Sequence, residues 1–477
     1  MFYRFLGLIS LGLITCLPSL FAQSSSLWDG DVGLHMAQYQ TDPLYQMRHD
    51  ALEAHTSRVA SGLEAASIRA VLNVPVVIHV MHAPSDSVPG NGSYLDADRI
   101  QAGLDRLNEA FRNQGAFAGG PKYSDAKTLA GVEAVDTEIE FCLANLAPDG
   151  SAMQGIDYVS TELADVDFSA LYAPENRSED AAMKARAYLD ANQYLNIWLV
   201  RSVCEDKGVG CDTRGYAYLP GAHGSALDGV VVESAYWGEN ADSMQVPIFY
   251  VGRYLNLWAT SFRSINTLPC TNDQCLLSGD RVCDTPPDAT QGGPGCGLTE
   301  NSCDSDGMDG DTDRNPFATV EVQDIWENFM DLGPEPACTN TFTEGQKLRM
   351  REALMTARNS LLNGIRCQPP AADCVIPSQI PDKPGTYVAT VRCTDDLGWT
   401  HFFKAATDTP AQGQALLLAS FRSSDQVEQT WAPETIKMVL TENYGQGAHV
   451  LSDAPYVDNN SGWYVSGRYL HLPAGLS

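Results

Sequence analysis

The 477-residue chain is poor in positive charge: 30 Lys and Arg stand against 60 Asp and Glu, a formal net charge of −30. A field of that sign repels phosphate backbones and anionic membrane surfaces, which argues against a nucleic-acid partner and suits hard cations such as calcium. Histidine is scarce as well, with nine in all, and no three of them fall at a metal-ligand spacing. His79 and His82 are three apart around one predicted strand and point to opposite sides of it. His49 and His55 are too far apart for one helical turn and read as surface residues, and His223 in a Gly-rich loop reads as solvated. Among 13 cysteines there is no C-x-x-C pair, which favours disulfides over a zinc site. Internal repeats are missing, and so are long apolar runs beyond the first residues.

What is present begins with those first residues. Arg4 precedes the apolar stretch 5–22, which ends at the small residue Ala22. This reads as a secretory signal over 1–22, cleaved before Gln23. Pro18 interrupts it and no stop-transfer segment follows, so no membrane insertion is expected once it is removed. Leu13 to Cys16 has the outline of a lipoprotein box, but Thr15 is unsuited to it. Removing Cys16 leaves an even number of cysteines in an exported chain, a disulfide framework. Cys270, Cys275, Cys283, Cys296, Cys303 and Cys338 crowd one region and, with Cys204 and Cys211, are the bridging candidates. The expected location is secreted or cell-surface.

Hydrophobic residues make up 44% of the chain and charged residues 19%, a core-forming composition. Residues 23–70 are polar and partly helical, with Leu52, Val59 and Leu63 at loose helical spacing. Val74–Val80 is a β-branched run of strand length. Asp96 caps an amphipathic helix marked by Ile100, Leu104, Leu107 and Phe111. Thr137–Ala144 alternates like a half-buried strand. A helix from Ser178 to Asn192 leads into a buried strand, Tyr194–Val200. Gln245–Trp258 is apolar and of helical length. Residues 267–340 are loop-like and need disulfides or metals to hold them. Thr343–Gln346 is a capping box that opens a helix expected to end at Gly364. Residues 368–374 read as a linker, and 375–477 as a small all-β domain.

Several of these segments, in order, resemble the pappalysin family of metzincin metalloproteases. Val74–Val80 is similar to its first strand. Phe141-Cys142-Leu143-Ala144 with Pro148-Asp149-Gly150 and Gly155-Ile156 matches a second mark. Further marks are Tyr194–Trp198, Gly215-Tyr216-Ala217 and Asp228–Val231. Gly279–Pro286 looks like the family's GD-x-V-x-DTP signature, Asn328–Asp331 like its Met-turn with Met330, and Phe342–Met350 like its FT–GQ–RM helix start. The resemblance implies a pro-segment-like region at 23–70. It also implies an α/β (α+β) metzincin-like domain over 71–367, with a mixed twisted sheet and an active-site helix.

That family's chemistry needs H-E-x-x-H-x-x-G-x-x-H, with two histidines on one helix face gripping zinc and a Glu polarising the bound water. In register with it stand Phe249, Arg253 and Ala259 at the zinc positions and Tyr250 at the base position. Phe and Ala carry no donor atom, and Arg stays protonated and repels a dication. Asn256 replaces the turn Gly and is suited to a left-handed turn. Leu332 stands where a Tyr commonly steadies the oxyanion. Val32-Gly33 is the nearest match to the pro-segment's Cys-Gly. Zinc is therefore not expected.

Calcium is an open expectation. Asp304, Asp306, Asp309, Asp311 and Asp313 alternate around Gly307 and Gly310, and Asp280, Asp284 and Thr285 fall in the signature that the resemblance associates with structural calcium. Phe249, Tyr250, Arg253 and Trp258 either line an old cleft as a binding surface or fill the volume of the lost metal site. The sequence thus points to an exported pseudo-protease that binds a peptide or protein ligand or acts structurally. Two alternatives stay open: an active zinc metallopeptidase with an atypical site, and a calcium-stapled surface component.

Overall fold

A computed structural model describes residues 30–66, 71–167 apart from 148, 150 and 152, 178–204, 213–262, 270, 274–290, 300–303, 316–331 apart from 318, 338–363, 366–367 and five C-terminal strands. The signal segment 1–22 with Cys16, the acidic residues Asp304 to Asp313, Cys211, Cys296, Leu332, Gly364 and the linker 368–374 lie outside the described residues. The chain divides into two units, Met1–Cys367 and Gln368–Ser477.

The first unit opens with two helices, α1 (Gly30–Thr41) and α2 (Pro43–Ala60). Asp42 caps α2 by accepting from Leu44 N and Tyr45 N, and Pro43 occupies the first helical position, where its missing N–H costs nothing. One stripe of α2 is buried: Tyr45, His49, Leu52, Thr56 and Val59. Leu63 falls beyond the helix end and is 77% exposed, because Ser61 and Gly62 close the helix before its turn arrives.

Then follow β1 (Leu72–His82), α3 (Ala97–Phe111), α4 (Ala126–Ala130), β2 (Ile139–Leu143), β3 (Ile156–Ser160), β4 (Asp165–Asp167) and α5 (Ser178–Lys184). Helix α5 stops eight residues short of the expected Asn192, since the chain turns over 185–194 to deliver β5 (Leu195–Val200). Next come β6 (Ser202–Cys204), β7 (Gly215–Ala217), β8 (Val230–Glu233), α6 (Ala241–Tyr254) and α7 (Glu344–Met355). The capping box of α7 is formed, with Thr343 and Gln346 each satisfying the other's backbone N–H. The helix ends at Met355, and a 3₁₀ turn over Asn359–Leu362 takes the path expected of its last turns.

Six strands make one sheet in the order β2-β1-β5-β8-β7, with β3 paired to β1 beyond β2. All pairs are parallel except β7 with β8. In this mixed sheet β1, β5, β7 and β8 are buried on both faces, as their continuous apolar runs require, while β3 lies partly exposed. On one face Val74, Val76, Ile78 and Val80 meet the stripe of α3, the side chains of α6, and Met350 and Leu354 of α7. On the other, Met81, Trp198, Tyr216 and Val231 pack with Leu34 of α1 and Tyr45 of α2. The N-terminal helices therefore share a core with the sheet. Each of the four α3 side chains Ile100, Leu104, Leu107 and Phe111 is buried and contributes roughly 1.5–3 kcal/mol by leaving water.

Three disulfides join Cys142–Cys367, Cys270–Cys303 and Cys275–Cys283. Cys204 and Cys338 are disulfide-bonded too. Cys142–Cys367 was not among the bridging candidates, because its ends are 225 residues apart in sequence and neither lies in the cysteine-rich stretch. The second unit carries β9 (Tyr387–Thr394), β10 (Thr400–Thr407) and β11 (Leu416–Ser423) as an antiparallel sheet in the order β11-β10-β9, and β12 (Pro455–Asp458) paired antiparallel with β13 (Trp463–Ser466).

Candidate functional site

The site is built at the C-terminal end of α6. The helix ends when Leu255 N and Leu257 N close back on Val251 O and Gly252 O, with Asn256 between them at φ 76°. This is a left-handed C-cap, and Asn is among the few side chains that tolerate it. The turn expected at Asn256 is therefore formed. Met330 packs beneath it: a Cβ added to Gly252 would lie 2.6 Å from Met330 Sδ, so the close approach needs glycine there. Met330 is fully buried, accepts a backbone hydrogen bond from Thr260 N at 3.1 Å, and is held from below by Asn328 Oδ1 at 2.9 Å. Asn328 and Gln346 lock together through reciprocal amide bonds of 2.8 and 3.0 Å.

All four positions that the resemblance gives to zinc chemistry lie in the core. Phe249 and Tyr250 are 1% exposed and meet edge to face at 5.1 Å. Arg253 is buried, donates from Nη1 to Leu257 O at 2.8 Å, and stacks 4.6 Å from the Trp258 ring centre. Ala259 is packed into the same core cluster. Phe249 and Ala259 offer no donor, and the third position holds a guanidinium that stays protonated, so these residues do not fit a zinc ion. Trp258, one of the cleft candidates, is also 1% exposed.

The cover is the pair α1–α2, and the contacts are specific. Glu53 of α2 accepts from Asn256 Nδ2 at 2.9 Å and Arg349 Nη2 at 2.8 Å on one oxygen, and pairs with Arg281 Nη1 at 2.7 Å on the other. Arg349 also donates to Asn256 O, and Arg281 lies 5.4 Å from the Trp258 ring centre at φ 64°. Burial alone would raise the Glu53 pKa, but the Arg349 and Arg281 guanidiniums outweigh it and hold the carboxyl well below the usual range.

Beneath this charged layer lies an aromatic one. His35 meets Trp258 edge-on at 5.0 Å and His49 at 4.6 Å, and its Nδ1 is 2.7 Å from Tyr45 Oη. Burial, with the neighbouring His49 and the two arginines Arg253 and Arg281, lowers the His35 pKa well below its usual value. Burial takes His49 down to about 4. Both are neutral at pH 7. His49 is thus a buried residue, not a surface one, since it lies on the inward stripe of α2. Val32 and Gly33 lie inside α1, and Val32 lines a groove of about 690 Å³ beside the cover, with Met36, Tyr39, Phe262, Leu276 and Leu277.

Three further contacts pin α2. His55 Nε2 lies 2.9 Å from Glu352 on α7. Arg48 donates to His223 O at 3.0 Å. Tyr45 crosses Gly221, where an added Cβ would meet its ring at 3.0 Å. His223 is not a solvated loop residue: it bonds Ser360 Oγ at 2.7 Å and faces Asp228 at 3.2 Å. Asp228 pairs with the buried Arg358 at 2.6 Å, whose guanidinium lies 3.4 Å from the Tyr254 ring centre.

The signature carboxylates are engaged within the chain. Asp280 accepts from Val282 N at 3.0 Å and Thr285 Oγ1 at 2.8 Å, and burial pushes its pKa up to about 8. Asp284 accepts from Thr343 Oγ1 at 2.7 Å and Gly345 N at 2.9 Å, at the start of α7. Among the described residues no group of three His, Cys, Asp or Glu is placed to hold a metal. The residues that sequence reasoning missed are His35, His49, Glu53, Arg281 and Arg349. The inward stripe of α2 was a sequence signal for His49 alone.

No family model and no curated protein matches the chain. Among solved structures it is similar to mirolysin in complex with a compound, at 21% identity over 63% of this chain and 100% of that one, with a TM-score of 0.43. It is similar to a promirolysin mutant from Tannerella forsythia, at 22% identity over 69% and 95% of the two chains, with a TM-score of 0.46. It is also similar to mature Tannerella forsythia mirolysin with a cleaved peptide, at 22% identity over 62% and 100%, with a TM-score of 0.42. Likeness at this level assigns no role to any residue here.

Proposed function

We propose that the chain is an exported, pappalysin-like metzincin homologue that does not hydrolyse peptide bonds and acts as a structural or protein-binding pseudo-protease. One observation carries this reading: Phe249, Arg253 and Ala259 are all buried, with the Arg253 guanidinium stacked on Trp258, and none of them can ligate zinc. A zinc site needs three protein ligands and an open position. Without the metal, water keeps a pKa near ~16 in place of ~7, so the nucleophile is missing as well. Disulfides support export, and among the described residues no helix is long and apolar enough to cross a membrane.

Elemental analysis of the purified protein beside a casein digest tests the proposal. The expected result is no stoichiometric zinc and no cleavage. One zinc per chain with chelator-sensitive cleavage would refute it. In the reciprocal test, Phe249→His, Tyr250→Glu, Arg253→His and Ala259→His are introduced together. With the Asn256 turn in place, that variant gains zinc. Catalysis stays weak, because Leu332 offers no phenol to an oxyanion.

A further inference from the structure

We infer that α1–α2 is a permanent part of the folded protein, a captured lid that the former metal-site helix has been rebuilt to hold, and not a segment removed on maturation. The inference rests on the pseudo-protease reading and goes beyond it by naming the occupant of the cleft.

Three observations carry it. First, positions in register with the zinc motif now serve the lid. Asn256, at the turn, donates to Glu53 at 2.9 Å. Arg253 supports the Trp258 ring on which His35 and His49 rest. Second, Glu53 gathers Arg281, Arg349 and Asn256 from three separate segments. Lifting α2 would strip the Arg281 and Arg349 guanidiniums of the carboxylate they share. Third, the lid shares an apolar core with the second face of the sheet, since Leu34 and Tyr45 pack in one cluster with Met81, Trp198 and Tyr216. The lid is thus held by an apolar core, a buried carboxylate and contacts to α7 and to the loop at His223. A chain that cannot hydrolyse peptides also cannot remove the segment itself.

The test uses the full chain with a site-specific protease sequence inserted after Leu63, where the side chain is exposed and nothing lies within 4 Å of the position a Cβ would take at Gly62. After folding and nicking, the fragment carrying α1–α2 should co-elute with the body on gel filtration at neutral pH. Glu53→Gln should raise its dissociation rate at least tenfold. If that variant fails to fold, Arg281→Gln, at a residue whose side chain is 23% exposed, takes its place with the same expectation. Release of the fragment from a nicked wild-type body that keeps its circular dichroism would overturn the inference. Zinc content and casein cleavage are read on the same samples. Release without zinc uptake sinks the lid alone. Retention with zinc-dependent cleavage sinks the pseudo-protease reading alone. Release followed by zinc uptake and cleavage sinks both.

Discussion

Glu53→Gln is the substitution that most directly probes how the N-terminal helices are held. The change keeps the shape of the side chain and one acceptor oxygen, and removes the charge. In the wild-type protein the carboxylate receives Arg281, Arg349 and Asn256 at 2.7 to 2.9 Å, with the Glu53 side chain only 14% exposed. A hydrogen bond to a charged group contributes about 1.5–3 kcal/mol, and breaking a buried pair on one side costs about 3–5 kcal/mol. The amide retains part of this, so the expected loss is about 2–4 kcal/mol at pH 7. The pH dependence separates charge from shape. The folded pKa of Glu53 lies below its unfolded value, so its contribution is complete above about pH 4.5 and lost as pH falls below that. Urea unfolding followed by tryptophan fluorescence should show a gap between the two proteins at pH 6 that closes towards pH 3. A gap under about 0.5 kcal/mol at pH 6, or one that persists unchanged at pH 3, would refute the reasoning.

Asp280 gives a dependence of opposite sign in a different window. Its pKa is raised from 3.8 to about 8 by burial, so its contribution is present at pH 4 and lost as pH rises towards 8, by as much as about 5 kcal/mol. Asp280→Asn, which preserves the acceptor for Val282 N, should flatten the decline in unfolding free energy between pH 5 and pH 8, and parallel curves for the two proteins would count against it. Asp288 and Asp324, both raised by burial and Asp288 also by its neighbour Asp324, add to the same decline in the wild type. We further propose that calcium binds the native protein through Asp280, Asp284 and Thr285 or through the run Asp304 to Asp313. Calcium at a hundredfold excess over its Kd then adds about 2.7 kcal/mol, and thermal melts with calcium and with chelator should differ by several degrees; coincident melts would dismiss both assignments.

The parts of the fold legible in the sequence are those that local chemistry decides. The stripe of α3, the capping box at Thr343, the β-branched run of β1 and the left-handed turn at Asn256 each depend on neighbours a few residues away. The lid was not legible for the opposite reason. Glu53 finds Asn256 and Arg349 across separations of 203 and 296 residues, and nothing near Glu53 marks it as more than a surface acid. His49 and His223 were misplaced on the surface for the same cause, since what buries them arrives from α1 and from the turn at Ser360. The end of α5 was overrun because the turn that stops it is set by the buried Asn196, whose side chain bonds Leu189 N and Leu189 O.

Cys367 is the last residue of the first unit, and its sulfur is joined to Cys142 on β2. Any tension applied through the C-terminal unit therefore enters the first unit at that bond. It passes to the strand that runs parallel to β1 over Leu72–Val76. The 225-residue span between the two cysteines, which holds α6, Met330 and α7, is bypassed. A pull on the tail would therefore leave this span folded, as a seat belt spares the passenger by loading the frame.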